Sequence, residues 1–375
     1  MNKNISIGII TYWWSKENYG QLLQMYALQK YLRTHGYNAF LIKYDPRKDT
    51  TLIKKRSKFL YIKKLLNPIV IKRFLKQINT IQKREDERIK YPRFFNEFLI
   101  KHIKETSRTY NSITELRKDP PKADVYITGS DVVWSIFRPA YYLDFGPTET
   151  KRIAYAPSFG RETISDEECQ QIKPLLKKFS LVTVRELEGL EICYRAGRQD
   201  AKLALDPTFL LAKNDYLKIA ENFNIKEEFC FLYMIGSETK FSMREIFMII
   251  KSRKMDVIYS TCEKFDKYPK TYLTIEQWIG YNSKASKIIT NSYHGCIFAI
   301  IFNKDFIFLP LSGIYSKLNV RVQSLLTKLE LSNRICNNNL SELFDISIDY
   351  VKVNKKLNSM INDSKALLYN QLLIK

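Results

Sequence analysis

Short apolar runs alternate with amphipathic stretches along this chain, and this pattern predicts an α/β protein. The apolar runs are typical of buried parallel strands and lie at 5–14, 38–44, 124–128, 151–156, 181–184, 203–205, 229–235, 256–260, around 288 and at 306–309. Helical patterns separate many of them, such as 21–35, where apolar residues recur at a 3.6-residue spacing. The succession of strand, helix and strand indicates parallel sheets covered by helices.

The pattern restarts after residue 212, which predicts two α/β domains followed by helices. The expected boundaries are 1–212 for the N-terminal domain, 226–320 for the C-terminal domain and 321–375 for the C-terminal helices. The first domain contains a basic helical insertion at about 47–118. Pro68 interrupts its helical spacing, so we expect at least two amphipathic helices there and a third around residues 94–99.

The net charge of the chain is +22, and more than half of this excess lies within residues 47–118. A basic field of this size suggests an acidic partner, which could be a phosphorylated substrate, a nucleic acid or an anionic membrane surface. The aromatic side chains of the insertion fall on the apolar faces of its helices, which argues against nucleic-acid binding. We therefore expect a packed insertion, and peripheral contact with the inner face of the cell membrane is the open alternative.

Other features of the composition predict a cytoplasmic protein without a metal site. None of the six cysteines forms a CxxC pair, so neither a zinc site nor a disulfide framework is expected. Cys296 is expected to be a small apolar helix residue. The apolar stretch 5–14 lacks the flanks of a signal peptide, and no apolar run is long enough to span a membrane.

Polar residues and glycines follow several of the predicted strands. Because the carboxyl ends of parallel strands share one edge of a sheet, where ligands bind, these residues are candidates for a binding site. They are Asn18, Tyr19, Gly20, Gly129, Ser130, Asp131, Ser158, Arg185, Glu186 and Asp206. For residues 18–20, an ordinary helix-entry turn is an equally good interpretation.

A further turn at 291–295 joins a buried strand to an apolar helix. Asn291, Ser292, His294 and Gly295 lie where free backbone N–H groups and the helix dipole favour an anion. His294 could donate a proton there, because imidazole titrates near neutral pH. From the turn alone, a structural role in capping the helix is the simpler interpretation.

Six motifs support a functional interpretation by occurring together and in order. They are Asn18-Tyr19-Gly20 with the following 23–28 (LQMYAL), 129–134 (GSDVVW), 154–160 (AYAPSFG), 184–189 (VRELEG), 205–211 (LDPTFLL) and 291–295 (NSYHG) with the following 298–306. In this order they resemble the motifs of the polysaccharide pyruvyl transferase family, over about residues 5–310.

The resemblance implies a GT-B-like fold, in which two Rossmann-like domains face each other across a cleft. It also implies that phosphoenolpyruvate is the donor, with no other cofactor, and that the acceptor is a sugar of a lipid-linked or nucleotide-linked glycan precursor. The product would be a cyclic pyruvate ketal on a surface polysaccharide. A glycosyltransferase that uses a nucleotide sugar on the same fold is the alternative, because a fold does not determine the donor.

The resemblance also assigns roles to residues of this chain. His294 would be the general acid, and Arg185 would bind an anionic group of the donor. Two positions depart from the family pattern: Asn291 stands where many members have aspartate, and Ser292 where some have arginine. We therefore expect Glu186 or Asp206 to orient His294, unless its proton affinity is simply lower than in other members.

Overall fold

A computed structural model describes residues 5–49, 68–223, 228–236, 239–262 and 266–373. Within them, two separate parallel sheets form, each covered by helices, and this confirms the predicted α/β class with two Rossmann-like domains. The first amphipathic helix predicted for the basic insertion falls within 50–67, outside the described residues.

The first sheet has six strands in the order β2-β1-β3-β4-β5-β6, and every pairing is parallel. The strands are β1 (Ser6–Ile10), β2 (Asn38–Leu41), β3 (Val125–Gly129), β4 (Lys151–Tyr155), β5 (Leu181–Val184) and β6 (Lys202–Leu203). The central strands β3 and β5 are buried along their whole length, as continuous apolar runs predict. Their carboxyl ends therefore lie along one edge of the sheet.

Within the described residues, seven α-helices lie between β1 and the second sheet in the sequence. They are α1 (Tyr19–Thr34), α2 (Pro68–Lys90), α3 (Phe95–His102), α4 (Ile113–Lys118), α5 (Asp166–Leu176), α6 (Leu187–Arg195) and α7 (Lys213–Leu217). Helix α1 begins two residues before the predicted Gln21, because the Asn18 side chain accepts a hydrogen bond from the Gln21 N–H and caps the helix. The cap places Tyr19 and Gly20 inside the first turn.

The second sheet has four parallel strands in the order β10-β9-β7-β8. Its strands are β7 (Phe229–Ile235), β8 (Asp256–Cys262), β9 (Lys287–Thr290) and β10 (Asp305–Phe308), and its helices are α8 (Met243–Ser252), α9 (Ile275–Lys284) and α10 (Tyr293–Ile301). The predicted turn at 291–295 places the start of helix α10 at about Gly295. The helix begins at Tyr293, because Ser292 caps it by accepting a hydrogen bond from the Gly295 N–H.

Three further helices follow: α11 (Val320–Lys328), α12 (Leu340–Phe344) and α13 (Tyr350–Leu373). Helix α13 returns to the first sheet, where the Leu205 N–H donates to Ser364 Oγ at 3.0 Å and Lys151 Nζ donates to the Gln371 carbonyl at 3.0 Å. The predicted C-terminal helices therefore close the chain over the N-terminal domain.

The two halves share one buried core. Tyr19 of the first half is fully buried, stacks on Trp278 at 5.2 Å between ring centroids, and donates a hydrogen bond to the Leu273 carbonyl at 2.8 Å. Arg93 Nη2 donates to the Thr261 carbonyl at 2.8 Å across the same junction. These contacts hold the carboxyl edges of the two sheets against each other.

The described part of the basic insertion is engaged with both halves. On α2, Arg88 pairs with Glu17 of the first half, and Glu87 lies 3.4 Å from Lys270 of the second. These ion pairs show that α2 packs at the junction of the two domains. In the described residues no helix has the length and apolar character needed to cross a membrane. Peripheral membrane contact stays a prediction.

Candidate active site

Asp206 lies at the centre of a buried polar cluster between the two sheets. Its Oδ2 lies 2.7 Å from Arg185 Nη1, accepts a hydrogen bond from Ser130 Oγ at 2.9 Å, and lies 3.5 Å from His294 Nε2. Its Oδ1 accepts from the N–H and hydroxyl of Thr208 at 3.0 and 2.8 Å. Residues predicted separately from the two halves of the chain thus meet at one carboxylate.

The electrostatics of Asp206 follow from these contacts. Its side chain is fully buried, and burial alone would raise the pKa of the carboxyl group. His294 and Arg185 outweigh burial and hold the pKa of Asp206 well below its ordinary value. The group is therefore an anion near neutral pH, and it stabilises positive charge on the two side chains that face it.

His294 enters the site on the first turn of α10. Ser292 caps this helix by accepting a hydrogen bond from the Gly295 N–H, and the Asn291 side chain is engaged with a backbone segment instead of His294. The Asn291 side chain pairs with the backbone of Ile235, accepting from its N–H at 2.6 Å and donating to its carbonyl at 2.9 Å. An aspartate at position 291 is therefore not needed beside the imidazole, because Asp206 already supplies the neighbouring carboxylate.

The glycine at position 295 allows α10 to start close to its preceding strand. A Cβ atom there would lie 2.4 Å from Thr290 Oγ1, a distance that real contacts do not show. The close approach lets Thr290 Oγ1 accept from the Ser292 N–H at 3.0 Å. Gly295 and Asn291 thus position the turn. The sequence suggested that the Gly295 N–H could donate a hydrogen bond to an anion, but it already donates to Ser292 Oγ.

Gly20 lies directly against the His294 ring. A Cβ atom at position 20 would be 2.0 Å from His294 Nδ1 and 2.2 Å from its Cγ. The Asn18-Tyr19-Gly20 motif therefore acts through three contacts: Asn18 caps α1, Tyr19 packs across the junction, and Gly20 leaves room for the imidazole. The motif therefore does more than form an ordinary helix-entry turn.

We expect Gly20→Ala to destabilise the fold by about 1–3 kcal/mol, because the added methyl group overpacks the buried His294 ring. In a His294→Ala background the same substitution should cost almost nothing, since the space is then free. Urea denaturation of the four proteins of this double-mutant cycle measures the coupling. Equal costs in both backgrounds would contradict the contact.

Arg185 presents an open edge beside this cluster. Its side chain is 0 % exposed, yet Nε and Nη2 make no hydrogen bond with any residue that the structure describes. Nη2 lies 3.7 Å from Asp131 Oδ1, beyond hydrogen-bond distance, and the guanidinium carbon lies 4.6 Å from the ring centroid of Tyr293. Buried guanidinium N–H groups are costly to leave unpaired, so this edge is suited to bind an anionic ligand.

Glu186 organises a loop of the site. Its Oε1 accepts hydrogen bonds from Ser158 Oγ at 2.9 Å and from the N–H groups of Phe159 and Gly160 at 2.7 and 3.3 Å. Burial raises the pKa of this carboxyl group. Because Glu186 has no contact with His294 among the described interactions, Asp206 is the acid beside the histidine.

The remaining predicted residues support the strand ends. Gly129 ends β3 where a Cβ atom would lie 3.1 Å from Leu28 Cδ2 of α1, and Ser130 accepts a hydrogen bond from Thr11 through its carbonyl at 2.9 Å. Asp131 adopts a left-handed conformation, with φ of 68°, that turns its carboxylate towards Arg185. Cys296 is buried, and burial raises the pKa of its thiol, as befits an apolar helix position.

Sequence reasoning did not single out Thr208, Tyr293 or Arg321, which also contribute to the site. Thr208 and Tyr293 lie inside the motifs, so their position beside Asp206 and His294 was a usable signal. Arg321 lies on α11, whose sequence shows only the apolar spacing of a packed helix. No local pattern there distinguishes it from a surface arginine.

Comparison with known proteins places the chain in a family. The model of the family described as polysaccharide pyruvyl transferase matches residues 18–313. No curated protein matches the chain significantly.

Among solved structures, UDP-GlcNAc 2-epimerase from Neisseria meningitidis is similar at 9% identity and a TM-score of 0.48, covering 99% of this chain and 100% of that one. UDP-N-acetylglucosamine 2-epimerase from Rickettsia bellii aligns at 11% identity and a TM-score of 0.42, covering 99% of both chains. An α-glucosyltransferase bound to UDP and DNA aligns at 8% identity and a TM-score of 0.43, covering 98% of this chain and 93% of that one.

The family match extends over most of the chain and includes every residue described above in contact with Asp206. The motifs that it covers are the ones that converge in space around Asp206 and His294. The chain belongs to the polysaccharide pyruvyl transferase family.

Proposed function

We propose that the protein transfers the pyruvate unit of phosphoenolpyruvate onto two hydroxyl groups of one sugar in a surface-polysaccharide precursor. The observation that carries this proposal is the meeting of a proton-carrying side chain, His294, and an anion-binding edge, that of Arg185, at one buried carboxylate. The products are a cyclic pyruvate ketal and inorganic phosphate.

Arg185 binds the donor in this scheme. Phosphoenolpyruvate carries a carboxylate and a phosphate, and the free Nε and Nη2 of Arg185 form a planar fork that fits two oxygens of one such group. Asp206 holds the guanidinium in place through Nη1, so the fork keeps its direction when no ligand is bound.

His294 supplies the proton that makes the donor electrophilic. The proton moves from the imidazole to the methylene carbon, the carbon–carbon double bond is lost, and positive charge develops on the adjacent carbon. Asp206 stabilises the imidazolium that precedes this step. The site is buried, so these charges interact more strongly than they would in water.

The sugar then completes the ketal. One hydroxyl oxygen bonds to the electrophilic carbon and loses its proton, the carbon–oxygen bond to phosphate breaks, and the second hydroxyl closes the ring with loss of its own proton. One of the two released protons restores His294, and the other leaves with phosphate or solvent. The scheme uses no cofactor besides the donor, and the acceptor is a lipid-linked or nucleotide-linked glycan precursor.

Thermal unfolding with phosphoenolpyruvate and, in parallel, with a panel of nucleotide sugars tests the donor. A ligand that binds only the folded protein raises the unfolding midpoint by mass action. We expect phosphoenolpyruvate to raise it and Arg185→Lys to weaken the response at least tenfold in ligand concentration, because a point charge cannot replace the fork. Arg195→Lys, a change in an exposed ion pair with Asp166, is the matched control and should respond like the wild type.

Two outcomes would contradict the proposal in different ways. Stabilisation by a nucleotide sugar and none by phosphoenolpyruvate would favour glycosyl transfer on the same fold. An undiminished response of Arg185→Lys to phosphoenolpyruvate would leave the donor in place and remove Arg185 from its binding.

A further inference from the structure

A second guanidinium reaches the donor site from outside the matched family region. Arg321 lies in the first turn of α11, beyond residues 18–313. Its guanidinium carbon lies 5.5 Å from the ring centroid of Tyr293, and that of Arg185 lies 4.6 Å from the same centroid. Two arginines from distant parts of the chain therefore share one buried aromatic ring, next in sequence to His294.

The two arginines differ in how their charge is balanced. Arg185 has Asp206 at 2.7 Å, whereas Arg321 makes no ion pair within 4.0 Å with any residue that the structure describes. Arg321 Nε donates one hydrogen bond, to the Leu318 carbonyl at 3.2 Å. Burial of the partly exposed Arg321 side chain and the neighbouring charge of Arg185 lower the pKa of Arg321 to about 10, although the carboxyl groups of Asp131 and Glu186 oppose this shift from beyond ion-pair distance. The protein thus holds an arginine in a place unfavourable to its charge.

Helix α11 forms a wall of the site independently of Arg321. A cavity beside the cluster is lined by Arg185, Tyr293 and Asp363 and by Leu325 and Lys328 of α11. Arg321 precedes Leu325 by four residues and therefore lies on the same face of α11. The turn 291–295 itself contains no lysine or arginine, and its Ser292 hydroxyl is used as a helix cap. Helix α11 instead supplies cations to this side of the site: Lys328 lines the cavity, and Arg321 lies on the same face of the helix.

We propose that Arg321 binds the phosphate group of the donor while the open edge of Arg185 binds its carboxylate. This inference rests on the proposed function for the identity of the donor. The assignment follows from charge: Arg185 is already balanced by Asp206 and faces Asp131, so the singly charged carboxylate suits it. Arg321 has no described carboxylate partner, so the more highly charged phosphate suits it.

The test measures binding of phosphoenolpyruvate and of inorganic phosphate by calorimetry. Arg321→Met keeps an unbranched apolar side chain but removes the guanidinium and its charge, and it should weaken the binding of both ligands about tenfold to hundredfold. Arg321→Lys should fall between it and the wild type. Lys352→Met removes one charge from an 82 % exposed side chain on α13 and should bind both ligands within about twofold of the wild type.

Unfolding without ligand separates a binding role from a structural one. Because burial and repulsion by Arg185 outweigh the attraction of Asp131 and Glu186, the folded protein disfavours the charge of Arg321, and Arg321→Met should unfold at the same temperature as the wild type or higher. A clear loss of stability together with unchanged ligand affinity would assign Arg321 to the fold and overturn the proposal.

The remaining outcomes distinguish this inference from the proposed function. If the wild type and Arg321→Met bind phosphoenolpyruvate equally, the role of Arg321 is wrong, but phosphoenolpyruvate remains the proposed donor. If the wild type binds phosphate in an Arg321-dependent way but does not bind phosphoenolpyruvate, Arg321 is supported as an anion-binding residue, and the proposal that phosphoenolpyruvate is the donor is wrong. If the wild type binds neither ligand, both are wrong.

Discussion

Replacing His294 by alanine should lower pyruvate ketal formation by about 10²- to 10⁴-fold, the range typical for loss of a general acid. The reason is geometric: the imidazole is the proton donor that we propose, and its Nε2 lies 3.5 Å from Oδ2 of Asp206. The measurement is phosphate release from phosphoenolpyruvate in the presence of lipid-linked or nucleotide-linked oligosaccharides extracted from the source cells.

The fold of the His294→Ala protein should survive. His294 Nε2 makes no hydrogen bond with a described residue, so truncation leaves no buried donor without its partner. His35 is exposed at the end of α1, and His35→Ala is the control that should retain full turnover. A His294→Ala protein with near wild-type turnover would exclude the histidine as the acid, whatever its effect on stability.

Asp206→Asn should have the largest effect on stability, about 3–5 kcal/mol, because it removes the charge that compensates a buried arginine. The amide is similar in size to the carboxyl group and can still accept from Thr208, so the loss comes from charge and not from packing. Turnover should fall with it, since both Arg185 and His294 lose their partner. Urea denaturation at neutral pH measures the stability change.

A second substitution identifies the cause. Asp206→Asn combined with Arg185→Met should recover part of the lost stability, because the uncompensated buried charge is then gone. Asp166→Asn is the matched control: its carboxylate is 95 % exposed and pairs with Arg195, so we expect a change below about 1 kcal/mol. A double variant less stable than the single one would contradict the charge explanation.

The stability gap between the wild type and Asp206→Asn should also depend on pH. The pKa of Asp206 in the folded protein lies below its ordinary value of 3.8, so its carboxylate stabilises the folded state fully above that pH. As pH falls below about 4, the unfolded chain binds a proton that the folded site resists, and the advantage of the wild type declines. The stability gap should therefore narrow as the pH falls below about 4.

Most of the fold could be predicted from the sequence, because each strand and helix produces its own local spacing of apolar residues. Buried parallel strands are continuous apolar runs, and β7 follows its predicted run residue for residue. Boundaries shifted where a side chain captured a free N–H group, as Asn18 and Ser292 do at the starts of α1 and α10. Strand tips could be proposed as site residues because parallel strands share one carboxyl edge.

The identity of the family was also accessible, because six ordered motifs are a stronger signal than any one of them. They brought His294, Arg185 and Asp206 into consideration before any distance was known. Whether Glu186 or Asp206 faced the histidine stayed open, since both follow strands of the same sheet. No periodicity distinguishes two carboxylates at the same edge.

Only the tertiary structure decided how these groups meet. The Asp206–His294 contact depends on how two sheets pack across a shared core, and the direction of Asn291 depends on its pairing with the backbone of Ile235. The same packing brings Gly20 against the imidazole and Arg321 over Tyr293. The sequence determines the local spacing of apolar residues and the chemistry of each side chain. Distances between remote elements depend on how the whole chain packs, and no local pattern contains that information.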